Sequence, residues 1–109
     1  MSATTPSTRY SRSASQLERA RRSLATGVST AMRAGQRPVP LTISHGRGSR
    51  VFDLDGNEYV DHVLGFGPLL LGHCPPEIVA AATDQLGRGT TFGAQHELEA
   101  ELAERLVEV

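Results

Sequence analysis

An α+β fold, made of an amino-terminal helix, a three-stranded antiparallel meander and then two further helices, is predicted by three features of this 109-residue sequence. Asp55-Gly56 lies between two short β-prone runs, apolar residues recur at helical spacing on both sides of that region, and Gly or Pro marks most changes of texture. The length suits one domain or part of one, and 39% hydrophobic residues without any Trp supply a modest core.

Residues 1–15 are rich in Ser, Thr and Arg and read as a disordered tail, a composition shared with short transit-like leaders. Ser15 and Glu18 have the spacing of a capping box. Leu17, Ala20 and Leu24 then follow at helical spacing until Gly27, so a helix is expected over 16–26, with Arg19, Arg21 and Arg22 on a solvated face. Residues 16–64 form a unit of this helix and the meander. Its strands are expected over 41–44, 50–54 and 58–63, separated by Gly46-Arg47-Gly48 and by Asp55-Gly56. Asp-Gly suits a two-residue type I′ turn, which needs positive φ at both positions.

Residues 65–109 form the second part. Residues 65–73 read as an irregular crossover with an apolar centre broken by glycine. Pro75-Pro76 opens a helix over 76–86 with Ile78, Val79, Ala82 and Leu86 on one stripe, ended by Gly87 and Gly89. A last helix begins near Gln95, with Leu98, Leu102, Leu106 and Val109 on one face and glutamates opposite. That stripe reaches the final residue without a cap, and so small a set of elements leaves apolar faces uncovered; a truncated chain with more sequence downstream is expected.

The formal charge is −1, with arginines concentrated early and glutamates late, and neither half is a block of one sign. Nucleic acid is therefore not the favoured partner, and no apolar run is long enough to span a bilayer. All 11 basic residues are Arg, so no side chain can form a Schiff base. A single Cys74 excludes an internal disulfide and suits a reducing compartment, with the cytoplasm as default.

Several constellations have plain readings. The glycines of 65–72 and Gly46-Arg47-Gly48 lack the Lys, the third glycine and the strand-to-helix context of a phosphate loop, and read as turn glycines. His73 and Cys74, with His45 or His96, lack the second spaced pair of a zinc site and read as packing or capping residues, so no metal is expected. Asp53, Asp55 and Asp61 fall at strand ends and a turn, where Asp is ordinary. Glu97, Glu99 and Glu101 suit a helix N-terminus.

Resemblance adds a functional reading. In order, the chain carries Gly27-Val28-Ser29-Thr30-Ala31-Met32-Arg33, then Val51-Phe52-Asp53-Leu54-Asp55-Gly56-Asn57-Glu58-Tyr59-Val60-Asp61, then Gly65-Phe66-Gly67-Pro68-Leu69-Leu70-Leu71-Gly72-His73, then Pro76-Glu77-Ile78-Val79 and Phe92-Gly93-Ala94. This pattern, over about residues 24–109, resembles the opening of the class III aminotransferases. The D-x-D-G-N-x-Y-x-D hairpin is general to that class. The G-P-L-x-L-G-H run and F-G-A look specifically like the glutamate-1-semialdehyde 2,1-aminomutases, although transaminases acting on other amino acids share much of the pattern.

The resemblance implies a fold type I enzyme whose large α/β domain is missing here, dependent on pyridoxal 5′-phosphate and acting on an amino acid as a homodimer. The groups that hold the cofactor would lie beyond Val109, so the chain alone is expected to be inactive, with no catalytic or cofactor-binding residue of its own. Arg33 matches the position that places a guanidinium on the substrate carboxylate, which a planar fork binds bidentately. Thr30 falls where the aminomutases carry Ser near the substrate, Ser29 where many carry Asn, and Phe66 where they usually show Trp in the pocket wall. Residues 90–94 would approach the partner's pocket. Two readings compete with this one: a free-standing α+β interaction module without catalysis, and a phosphate or nucleotide binder using the glycine clusters.

Overall fold

A computed structural model describes residues 8–109. The chain divides into two compact units, Met1–Pro75 and Pro76–Val109.

In the first unit, a 3-10 turn at Thr8–Tyr10 leads into helix α1, Ser11–Ala20. The helix starts before the expected 16–26, so Ser15 and Glu18 lie inside it and cap nothing. Residues 8–15 are therefore folded, while the rest of the expected tail lies outside the described residues. A second departure is the end of α1 at Ala20; the chain then turns through Ala25–Gly27. Gly27 (φ 79°) folds the chain back against the helix, where an added Cβ would lie 2.7 Å from Leu17 Cδ1. A one-turn helix, α2 at Ala31–Ala34, follows.

The meander is present with order β1-β2-β3 and antiparallel pairing: β1 is Ile43–Arg47, β2 is Arg50–Asp53 and β3 is Glu58–Val60. Arg47 pairs with Arg50, so Gly48-Ser49 is the first turn, and Gly46 and Arg47 belong to the strand instead. A register shift between Ile43 and His45 is bridged by Ser44, whose hydroxyl lies 3.0 Å from the Phe52 carbonyl oxygen. In the second hairpin only Gly56 has positive φ (85°), and Asp55 does not. The loop is longer than a two-residue type I′ turn. The Gly56 N–H donates to Asp53 O and the Asp53 N–H donates to Asn57 O, closing three residues with glycine in the left-handed position. β3 stops at Val60 because Asp61 turns its carboxylate onto the N–H groups of Val63 and Leu64, at 2.8 and 3.1 Å. The chain then returns to the sheet, and Gly48 and His73 exchange backbone hydrogen bonds at 2.8 and 2.9 Å.

The buried centre of this unit is largely polar. Among the described residues, Ser13 and Asp53 have fully buried side chains, and Val39 joins them as a buried apolar one.

In the second unit, α3 spans Pro76–Arg88 and runs through Gly87; Gly89, with φ 103°, is the residue that ends it. Helix α4 is Glu97–Val107. His96 caps it by accepting the Leu98 N–H on Nδ1, while Glu99 Oε1 accepts the His96 N–H, a reciprocal arrangement. The predicted stripes are present but uncovered, except that Val109 lies past the end of α4: Ile78, Val79, Leu86, Leu98, Leu102 and Leu106 are each at least 45% exposed. No helix among the described residues is long and apolar enough to cross a membrane.

Candidate functional site

Arg33 stands on α2, whose first turn is set by Thr30 in an extended conformation at the N-cap. The Arg33 N–H donates to Thr30 O at 3.1 Å, and Arg33 Nη1 donates to Ser29 Oγ at 2.8 Å. Two residues expected near a substrate are thus brought together, with the Ser29 hydroxyl orienting an exposed guanidinium. A planar cation held from one side by a neutral acceptor is suited to bind a carboxylate.

Phe66 lies on a separate 3-10 turn, Leu64–Phe66, and is 75% exposed. The turn has a left-handed backbone, with φ of 50°, 61°, 67° and 120° at Leu64, Gly65, Phe66 and Gly67. Asp61 holds its entrance, and His73 Nε2 lies 2.8 Å from the other carboxylate oxygen of Asp61. The bond from His73 and those from the Val63 and Leu64 N–H groups keep the Asp61 carboxyl below the usual range, so the ionised carboxylate accepts from His73.

The D-x-D-G-N-x-Y motif, read from sequence as turn chemistry, is a polar knot. Asp53 accepts on one oxygen the N–H groups of Asp55 and Asn57, at 2.9 and 2.8 Å, and on the other the Asn57 amide and Tyr59 hydroxyl, both at 2.8 Å. Burial pushes the Asp53 carboxyl up, but these hydrogen bonds outweigh it and hold the group below the usual aspartate value. Burial, the bond to Asp53 and its charge together push Tyr59 up to about 12. Asp55 faces outward from the hairpin and takes the Ser11 hydroxyl and the N–H groups of Arg12 and Ser13, capping α1. Its carboxyl is raised by partial burial but lowered further by those donors. Asn57 ties the same region by donating to Arg9 O at 2.8 Å. Sequence spacing gave no sign that the motif's partners lie in the first helix.

The histidines considered as zinc ligands have other roles: His45 stacks on Phe52 at 4.5 Å, His73 binds Asp61, and His96 caps α4. Among the described residues, no group of three or more His, Cys, Asp or Glu is placed to hold a metal ion. In the second unit a cleft of about 250 Å³ is lined by Gln85, Thr90, Phe92, Ala94 and His96, among others, with Phe92 stacked on His96 at 5.4 Å.

A sequence model of the class-III aminotransferases matches residues 31–109. The chain belongs to this family. A glutamate-1-semialdehyde 2,1-aminomutase of Chloroflexus aurantiacus is 48% identical over 103 residues, 93% of this chain and 23% of the relative. The chain thus spans about a quarter of the length of the curated relatives it matches. Among solved structures, an omega-transaminase from Sphaerobacter thermophilus superposes with a TM-score of 0.79 at 38% identity, over 88% of this chain and 22% of that one. A glutamate-1-semialdehyde aminomutase from Pseudomonas aeruginosa superposes with a TM-score of 0.81 at 30% identity, over 90% and 22%. The α+β arrangement is accordingly that of one segment of a fold type I transaminase.

The pyridoxal phosphate implied by this family does not fit the residues present as a covalently held group. All 11 basic residues are arginines, and a guanidinium offers no amine for an imine with the aldehyde.

Proposed function

We propose that the chain is an amino-terminal substrate-recognition segment of a cytoplasmic, homodimeric aminotransferase or aminomutase that uses pyridoxal phosphate held by residues outside these 109. In this reading the segment binds and orients an amino acid and is inactive alone. The observation that carries it is the exposed Arg33 guanidinium, oriented by Ser29 on the one-turn helix. Arg33 binds the substrate carboxylate, Thr30 and Ser29 line that end of the pocket, and Phe66 forms part of its wall. The similarity to aminomutases across most of the chain favours intramolecular amino transfer, from glutamate-1-semialdehyde to 5-aminolevulinate. The similarity to an omega-transaminase supports the second reading, transfer between two substrates with another amino acid as donor. The exposed stripes of α3 and α4 disfavour a free-standing module, since such a module has to cover its own apolar faces.

The test is an assay of the intact enzyme carrying this segment. Formation of 5-aminolevulinate from glutamate-1-semialdehyde without an added amino acceptor supports the mutase. Turnover that requires a second keto substrate supports the transaminase, and no amino transfer with either rejects both.

A further inference from the structure

Residues 64–67 have positive φ at every position, and two of the four, Leu64 and Phe66, carry side chains that disfavour this backbone. Such a conformation persists only where its surroundings hold it, and it tends to occur where a side chain must be presented in one place. The holding groups form a continuous path from the sheet. Gly48 and His73 pair through two backbone hydrogen bonds, and the His73 ring packs so closely on β1 that a Cβ at Gly46 would lie 2.5 Å from its Cγ. His73 Nε2 reaches Asp61 Oδ2 at 2.8 Å, and Asp61 Oδ1 receives the Val63 and Leu64 N–H groups at the mouth of the turn. Leu69 N–H closes the far side on Leu64 O at 3.2 Å. The side chains of His73 and Asp61 are 21% and 10% exposed, whereas Phe66, to which they lead, is 75% exposed as a residue. A path this well protected ends in an aromatic ring that the unit does not bury.

We propose that Asp61 and His73 are a positioning pair that fixes the left-handed turn and thereby sets where the Phe66 ring meets the substrate, a role that rests on Phe66 being part of the pocket wall. Neither residue touches substrate. Their effect on catalysis passes through Phe66, so it disappears when that ring is absent.

The experiment is a double-mutant cycle in the intact holoenzyme, reading kcat and KM for the amino acid substrate, with hydrogen exchange of the segment over 61–68 measured in parallel. Asp61→Asn should lower kcat/KM by roughly five- to twentyfold, the scale of coupling between neighbouring residues. In the Phe66→Ala background the same change should cost less than about twofold if the two act as one unit. Exchange should rise at Val63 and Leu64 while the strands keep their protection. His73→Gln, which keeps a donor toward Asp61, should retain most activity, and His73→Leu should behave like Asp61→Asn. This pair of variants answers the question even if Asp61→Asn fails to fold. An equal loss with and without the Phe66 ring, or protection lost throughout the sheet, overturns the proposal. If Phe66→Ala by itself changes neither kcat nor KM, Phe66 is not in the pocket wall, and the premise fails rather than the coupling.

Discussion

Asp55 caps a helix 43 residues away in sequence: its carboxylate accepts the Arg12 N–H at 2.8 Å, and the neighbouring Ser13 N–H at 3.1 Å. Because the first N–H groups of a helix have no partner within it, α1 depends on this hairpin residue for its N-terminus. Asp55→Ala should therefore loosen α1 and leave the sheet in place. Amide exchange at Arg12 and Ser13 should rise by roughly three- to tenfold, the effect of losing one helix cap, while Val51 and Tyr59 stay protected. Unchanged exchange at Arg12 would show that the helix finds another cap.

Gly56→Val isolates backbone strain. Gly56 has φ 85°, and an added Cβ would meet nothing within 4 Å, so any loss comes from conformation rather than collision. The intact enzyme should lose about 1–3 kcal/mol, the cost of a side chain in this region of φ/ψ space. Gly46→Ala is the converse case. Its backbone is ordinary, but the Cβ would lie 2.5 Å from the His73 ring. A denaturation midpoint unchanged in Gly56→Val would place the turn elsewhere.

The pH dependence follows from the same knot. Asp53, Asp55 and Asp61 are all held below the usual carboxylate value in the folded chain. Their contribution is present above the unfolded value of about 3.9 and is lost as the pH falls through the lower folded values. Tyr59, pushed up to about 12, has the opposite sign. Its contribution is complete below the unfolded value of about 10 and is lost as the pH rises toward the folded value. The urea midpoint should be flat near neutrality and fall on both the acid and the strongly alkaline side. A midpoint that holds steady well below the aspartate range would mean that these carboxylates do not couple to folding.

Local chemistry made the hairpins legible, and longer-range chemistry hid the rest. Asp55-Gly56 located the second turn, and Pro75-Pro76 located α3, because glycine and proline act on their own backbone. The start of α1 is not legible locally because its cap is Asp55, whereas Ser15 and Glu18 match a local pattern that the helix does not use. Gly46 reads as a turn glycine yet lies in β1, where the need for glycine comes from the His73 ring. At the candidate site, Arg33 was indistinguishable from the other arginines by composition and was singled out only by the matching loop. Its bond to Ser29 depends on the extended Thr30 at the N-cap, which leads from Ser29 into the one-turn helix that carries Arg33.

Arg33 carries the last prediction, which depends on the proposed role of its guanidinium. In the intact enzyme, Arg33→Ala should leave cofactor absorbance unchanged, since no side chain of this segment offers the cofactor an amine. Turnover should suffer instead. A charge-assisted bond to a carboxylate contributes about 1.5–3 kcal/mol, so kcat/KM for the amino acid should fall by roughly 10- to 150-fold, with part of the loss in KM. Arg33→Lys should recover only part of this, because a point charge cannot form two parallel hydrogen bonds to one carboxylate. Ser29→Ala should produce a smaller loss in the same direction, since it frees the guanidinium from the hydroxyl at 2.8 Å without removing its charge. An amine substrate without a carboxylate separates the explanations. Against it Arg33→Ala should lose little, because the bond that the variant lacks is never formed there. Equal losses on both substrates would make Arg33 a structural residue of α2, and no loss on either would leave it a solvated surface charge.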